Sequence, residues 1–280
     1  MVAILRENSG ISLLMSFLWI RIESVYPILG RYGPFFLYSY TILLAIGLVI
    51  GVGITAWLVQ DDKRPYWLDS FLCSLFAGLV GGRVGFVVAQ WRYFTERSSE
   101  IANFGQGGLS YYGALLGSLL GLWLWCWRKK QPFARTIALF TPALAIIHLF
   151  GWLACLLEGC GFGATAVLTN NPLTHWLTAD LPDTFGVYDL RYQTQLVGAV
   201  LSLVVFLLVM WWGGRRPSVS HFYFVLCAFS LIQFLISLWR GDTVPLINHI
   251  RSDTFLSLIF ALLSFILLQY STKQNRDMNT

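Results

Sequence analysis

Charge is scarce in this chain. Lys, Arg, Asp and Glu supply 12% of its 280 residues, against about one quarter in a soluble domain, while 56% are hydrophobic. Too few polar side chains exist to coat a water-facing surface, so lipid must be the solvent for much of the molecule. Metal-ligand spacing is also missing. Cys73, Cys126, Cys155, Cys160 and Cys227 form no Cys-x-x-Cys pair, and all but Cys160 read as small buried hydrophobes. Without a nucleic-acid motif, the net charge of +5 is read as the basic excess of cytoplasmic loops. No internal repeat points to an inverted-repeat transporter. The apolar run Ile11–Ile20 lacks a strong basic flank and a small-residue cleavage site. It is read as an interfacial or packed N-terminal arm, not as a removed signal peptide.

What is present is a series of long apolar stretches. Seven have the roughly 20 residues needed to cross a bilayer: Phe35–Leu58, Trp67–Gln90, Gly107–Trp127, Arg135–Gly159, Gln193–Trp212, His221–Trp239 and Asp253–Tyr270. Their continuity excludes an alternating β-barrel pattern. The expected fold is an all-α integral membrane protein with about seven transmembrane helices. An arm (1–34) precedes the membrane domain (35–270), which contains an outer loop (164–191), and a tail (271–280) follows. Lys63 and Arg64, Arg128 to Lys130 with Arg135, Arg215 and Arg216, and Lys273 with Arg276 all fall on one side of this arrangement. Asp180, Asp183 and Asp189 mark the other. The positive-inside rule then puts the N-terminus outside and the C-terminus in the cytoplasm. The outer loop is long enough to be a lid or a docking surface.

Small residues recur every fourth position at Gly47 and Gly51, at Ala77, Gly81 and Gly85, and at Gly113, Gly117 and Gly121. That spacing lets membrane helices approach closely. Polar residues inside spans are costly and mark function. Here Tyr40, Arg83, Tyr111, Tyr112, Glu158, Gln195, Gln233 and Arg240 come from six helices and, Arg83 aside, fall near the outer face. An arginine in such a cavity binds phosphate or carboxylate. A desolvated glutamate exchanges protons, and tyrosine hydroxyls orient glycerol or phosphate oxygens. The set suggests a pocket for an anionic lipid headgroup, with no metal and no cofactor. Structural alternatives stand beside it. Arg83 could pair with Glu158 to join two helices, and Tyr111 and Tyr112 could be interface anchors. His148 could serve packing, and Arg240 could snorkel to water.

Taken in order, the motifs resemble the prolipoprotein diacylglyceryl transferase family. They are a Gly-Pro followed by Tyr40, the run Gly82-Arg83-Val84-Gly85, the run Gly107 to Gly117 around Tyr112, and the run Gly151 to Gly163 holding Glu158 and Cys160. Thr194-Gln195-Leu196 and Arg240-Gly241-Asp242 are fainter echoes. The resemblance implies transfer of diacylglyceryl from phosphatidylglycerol, or another anionic phospholipid, to the cysteine thiol of a preprolipoprotein signal peptide. The reaction would occur at the outer face of the bacterial cytoplasmic membrane. Tyr40, Tyr112 and Glu158 are the expected catalytic groups. Arg83, Gln195, Gln233 and Arg240 are the expected headgroup ligands.

The chain departs from the family pattern in ways that bear on activity. Trp152 stands where the family carries Arg, Gly198 where it carries Glu, and Gln233 and Ser237 where it carries an Arg and a Glu. Two readings stay open: a divergent transferase, or a catalytically degenerate lipid-binding or structural subunit with partner membrane proteins.

Overall fold

The computed structural model describes residues 28–33, 35–59, 66–103, 108–167, 176–183, 185–213, 217–247 and 249–277. Most of the expected N-terminal arm and the basic residues Lys63, Arg64, Arg215 and Arg216 lie outside them. Six helices are long and apolar enough to cross a membrane: α1 (Ser39–Val59), α2 (Trp67–Ala89), α6 (Thr141–Glu158), α7 (Thr194–Gly213), α8 (Val219–Ser237) and α9 (Ser252–Asp277). The protein is therefore multi-pass. The other expected span is α4 (Tyr111–Lys129), which has the length but ends in Trp123, Trp125, Trp127, Arg128 and Lys129. Among the described residues there are also the short helices α3 (Trp91–Glu96) and α5 (Phe133–Leu139) and a 3-10 turn at Ser98–Glu100.

Two expected boundaries shift for local reasons. Phe35–Tyr38 is not the first turn of α1 but strand β2, paired antiparallel with β1 (Ile28–Tyr32). The span expected from Arg135 is broken at Phe140, where Thr141 and Pro142 open α6. Proline lacks the N–H that an uninterrupted helix needs and suits a first turn. At its other end α6 stops at Gly159, whose φ of 78° is left-handed and which caps the helix without a Cβ penalty. In α4, Ser110 accepts from the Gly113 N–H at 3.3 Å, and Arg128 and Lys129 complement the carboxyl end of the helix dipole.

Neighbouring helices run antiparallel. Gly81 of α2 is so close to α4 that a Cβ would stand 2.5 Å from the Gly113 carbonyl oxygen. The α1–α6 seam places Gly51 against Ala143. A further core joins Val205 and Val209 of α7 to Val225 and Phe229 of α8 and to Ile146 and Trp152 of α6. Outward-facing Val49, Phe76 and Trp211 are exposed, as lipid-facing side chains are. These pairings gather the amino ends of α1, α4, α7 and α9 with the carboxyl ends of α2, α6 and α8. Among the described residues, three hairpins sit there too: β1–β2, β3 (Thr178–Pro182) with β4 (Tyr188–Tyr192), and β5 (Leu246–Ile247) with β6 (Ile250–Arg251).

Candidate functional site

At this hairpin end, the chain leaving α6 is a strap that touches nearly everything else. Thr194 Oγ1 donates to the Gly161 carbonyl at 2.7 Å, and Gln195 Nε2 to the Cys160 carbonyl at 3.1 Å. The Gly241 N–H donates to Phe162 O, and the Ala164 N–H to Trp239 O. Thr165 bridges to Arg191, so the strap lies between the β4 strand and the Trp239–Gly241 segment. Gly161 has a φ of 65° and lies open towards Arg240, whose Cζ would be 3.6 Å from a Cβ at that position. Part of the expected outer loop is thus a hairpin. Asp183 pairs there with Arg191 at 3.3 Å. Backbone N–H groups of Val187 and Phe185, with Arg191, hold the Asp183 carboxyl below its ordinary range against a smaller opposing effect of burial.

Glu158 and Tyr40 meet. The backbone N–H of Tyr40, at the amino end of α1, donates to the Glu158 carboxylate. Glu158 Oε2 is buried without a hydrogen-bond partner, and a buried carboxylate oxygen left open is a strong acceptor waiting for a donor. Tyr112 is stacked on Phe260, with ring centroids 5.0 Å apart. Its buried hydroxyl makes no hydrogen bond of good geometry and lies beside Ser257, close enough to Asp253 and Arg240 to feel their charges. Tyr112, Gln195 and Arg240 therefore converge around the strap, and Tyr40 with Glu158 borders them. Gln233 is half-buried on α8, one turn before Ser237. Ser237 accepts from Thr254 Oγ1 at 2.8 Å and so ties α8 to α9.

Arg240 does not snorkel. Its Nε donates to Asp242 Oδ1 at 2.8 Å and its Nη2 to Asp242 Oδ2, while Nη1 faces Asp253 at 3.6 Å. Arg251 closes the ring, reaching Asp253 Oδ2 at 3.0 Å, Asp242 Oδ1 at 3.1 Å and the Asp242 carbonyl at 2.8 Å. Burial pushes the Asp242 carboxyl up, but the hydrogen bonds and charges of Arg240 and Arg251 outweigh it and hold the group low. Sequence reasoning missed Arg251 and Asp253 as partners. The signal was there: Arg240-Gly241-Asp242 and Arg251-Ser252-Asp253 are the same Arg-x-Asp unit written twice.

Arg83 lies apart, on the flank formed by α2 and its connection to α4. Its Nη2, Nε and Nη1 donate to the carbonyls of Glu100, Ile101 and Gly108 at 2.7, 2.8 and 3.2 Å. Phe86 and Phe94 lie against the guanidinium. A cavity of about 260 Å³ opens here, lined by Arg83, Phe86, Gln90, Tyr93, Phe94, Glu100 and Gly108.

Two of the family departures turn out to be one feature. The indole of Trp152 lies on Gly198 so tightly that a Cβ at 198 would stand 2.5 Å from Cε2. The bulky residue on α6 and the missing side chain on α7 compensate each other in volume. The reading of Cys155 as a plain buried hydrophobe is corrected, because Cys155 and Cys160 form a disulfide across the end of α6. Cys73, Cys126 and Cys227 remain free thiols. The five-residue separation matched no familiar motif. It does bring the two sulfurs together once Gly159 reverses the chain.

These features define a class: a multi-pass membrane protein with a polar site at one end of its helices. The chain belongs to the prolipoprotein diacylglyceryl transferase family, whose model matches residues 27–270. It is similar to phosphatidylglycerol–prolipoprotein diacylglyceryl transferase 2 of Clostridium perfringens, at 25% identity over 195 residues, 68% of this chain and 73% of that protein. The corresponding transferase of Nitratidesulfovibrio vulgaris is 27% identical over 215 residues, covering 72% and 76%. That of Thermus thermophilus is 25% identical over 209 residues, covering 68% and 74%.

Proposed function

We propose that this protein transfers the diacylglyceryl group of phosphatidylglycerol to a cysteine thiol of a preprolipoprotein signal peptide, at the outer face of the bacterial cytoplasmic membrane. The observation that carries the reading is the convergence at the hairpin end: Glu158 with an open buried oxygen beside Tyr40, and Tyr112 beside Arg240. In the reaction the thiol sulfur attacks a glyceryl carbon. The carbon–oxygen bond to phosphate breaks, and glycerol phosphate leaves with the bonding pair. The thiol proton passes to Glu158 Oε2 as the acceptor. Arg83 counters the phosphate charge that grows as the bond breaks, and Arg240, held by Asp242 and Asp253, shapes the headgroup site. Gln195 and Gln233 line the headgroup side, and Tyr40 and Tyr112 orient the glycerol.

Seven spans with the N-terminus outside fit this assignment. Disulfides persist in oxidising compartments, so the Cys155–Cys160 bond at the hairpin end supports an outward-facing site. Arg128 and Lys129 at the far end of α4 suit the cytoplasmic side. We read the chain as an arm (1–34), a membrane domain (35–270) with its outer loop (164–191), and a tail (271–280) into which α9 runs.

The test is direct. The purified chain is given phosphatidylglycerol and a lipobox peptide, and the peptide is weighed for a diacylglyceryl gain on its cysteine. A gain lost in Arg83→Ala supports the reading. No gain, where an ordinary family member works, overturns it in favour of a degenerate lipid-binding subunit.

A further inference from the structure

The Cys155–Cys160 disulfide is not needed to end α6. Gly159 already reverses the chain, and the Gly159 and Cys160 N–H groups both donate to the Cys155 carbonyl, at 2.9 and 3.1 Å. What the bond adds is a covalent tie between the last turn of α6 and the strap that leaves it. Glu158 sits inside the closed loop. Immediately beyond it, Cys160 and Gly161 are gripped by Gln195 and Thr194, and Phe162 accepts from the N–H next to Arg240. The tied segment therefore carries Glu158 on one side and borders Arg240 on the other. Between Gly161 and Gly163, the strap's packing rests on the buried Phe162 ring beneath Arg191.

We propose that the Cys155–Cys160 disulfide is a positioning element of the site, and that opening it switches the site off reversibly. The proposal rests on the transferase reading for its activity readout. Glu158 keeps its place on α6 in either state. What the disulfide fixes is the register of the strap, and through it the distance from Glu158 to Arg240. Errors of about 1 Å in such a geometry cost roughly 100-fold in rate, so a loosened strap is enough. The chemistry of opening is simple. A phosphine reductant breaks the sulfur–sulfur bond, takes oxygen from water, and leaves two thiols and the phosphine oxide. Oxidised glutathione reverses it by two thiol–disulfide exchanges.

The test uses the full chain in detergent, with and without tris(2-carboxyethyl)phosphine. Thiols are first counted by maleimide labelling after unfolding. Three of the five cysteines should label without reductant, and all five after it. Hydrogen exchange of residues 159–166 should speed by about tenfold on reduction, as expected when local protection is lost, while the α2–α4 seam stays unchanged. The transfer rate should fall by about tenfold or more and recover with oxidised glutathione. The acid limb of its pH profile should move, which a staple acting only on stability would not cause. Cys155→Ser with Cys160→Ser should match the reduced protein and ignore reductant.

Labelling of all five cysteines without reductant overturns the proposal. So does a reduced protein with unchanged exchange, rate and pH profile. A chain that transfers nothing in either state refutes the transferase reading instead. In that case the exchange measurement alone decides: faster exchange at 159–166 supports the positioning role, and unchanged exchange overturns it.

Discussion

Two arginines reach the same end of the bundle and meet opposite surroundings. Arg83 donates to three backbone carbonyls beside a cavity that Glu100 also lines. Arg240 is held in a ring with Asp242, Arg251 and Asp253, where two cations meet two carboxylates. Both positions were expected to bind a lipid phosphate, yet the two cages do different things to a guanidinium. Carbonyls fix orientation. Carboxylates also cancel the field that draws an anion in, which leaves Arg240 better suited to shaping the site than to attracting its ligand. Arg83 borders an open cavity, whereas the Arg240 ring ties the α8–α9 corner to the strap.

The largest effect that sharpens this contrast is on activity. Arg83→Ala should lower diacylglyceryl transfer by roughly 100- to 1,000-fold, the usual cost of removing one charge-stabilising donor. Arg83→Lys should recover only part of it, because an ammonium cannot fork to three carbonyls. The peptide mass assay reads both, and normal transfer by Arg83→Ala would reverse the ranking of the two arginines. The next effect falls on stability at the other cage. Arg251→Gln strands carboxylates beside a single arginine and should cost about 1–3 kcal/mol, less than breaking a fully buried pair because the ring is part-exposed. Thermal unfolding in detergent measures it. Adding Asp253→Asn to Arg251→Gln should return much of the loss, since charge balance is restored. If the double variant is no better than the single, the ring is not acting as a charge-balanced unit.

The helices, their apolar faces and the end at which polar residues gather were all legible in the sequence, because membrane spans are written as unbroken apolar runs. The small residues at 81, 85, 113 and 117 foretold the α2–α4 seam for the same reason, since close approach leaves a local spacing. What stayed hidden depended on where the chain goes between spans. Arg83 and Glu158 stand as isolated polar residues in apolar text, and nothing local says that one meets the carbonyls of Glu100, Ile101 and Gly108 and the other the amino end of α1. The disulfide needed the turn at Gly159 to become visible, and the partnership of Trp152 with Gly198 needed the α6–α7 packing. Read singly, those two departures from the family look like losses. Read together, they are one packed contact, an indole seated where a side chain is missing.

That contact carries the next prediction. Gly198→Ala should cost about 1–3 kcal/mol, since the added methyl must displace a buried indole. In a Trp152→Leu background the same change should cost little. A double-mutant cycle on unfolding temperature reads the coupling, and strictly additive effects would mean that the indole moves aside freely.

The smallest effect concerns pH and belongs to the carboxylate cage. Asp242 is held below its ordinary range because its two arginines outweigh its burial. A carboxyl whose folded pKa is depressed contributes stability that is fully present above its unfolded pKa, near 3.9, and is lost as pH falls through the folded value. Unfolding temperature should therefore be insensitive to Asp242 between pH 7 and about 5 and should decline only below about 4. Asp242→Asn should lower stability at neutral pH, because both arginines lose a charged partner, and should flatten the acid decline. The opposite pattern, with wild type gaining stability as pH falls from 7 to 5 in a way that Asp242→Asn removes, would mean that burial dominates the carboxyl and that the two arginines do not neutralise it. The Arg240 cage would then be a poor neutraliser, and the distinction drawn between the two arginines would fail at its electrostatic root.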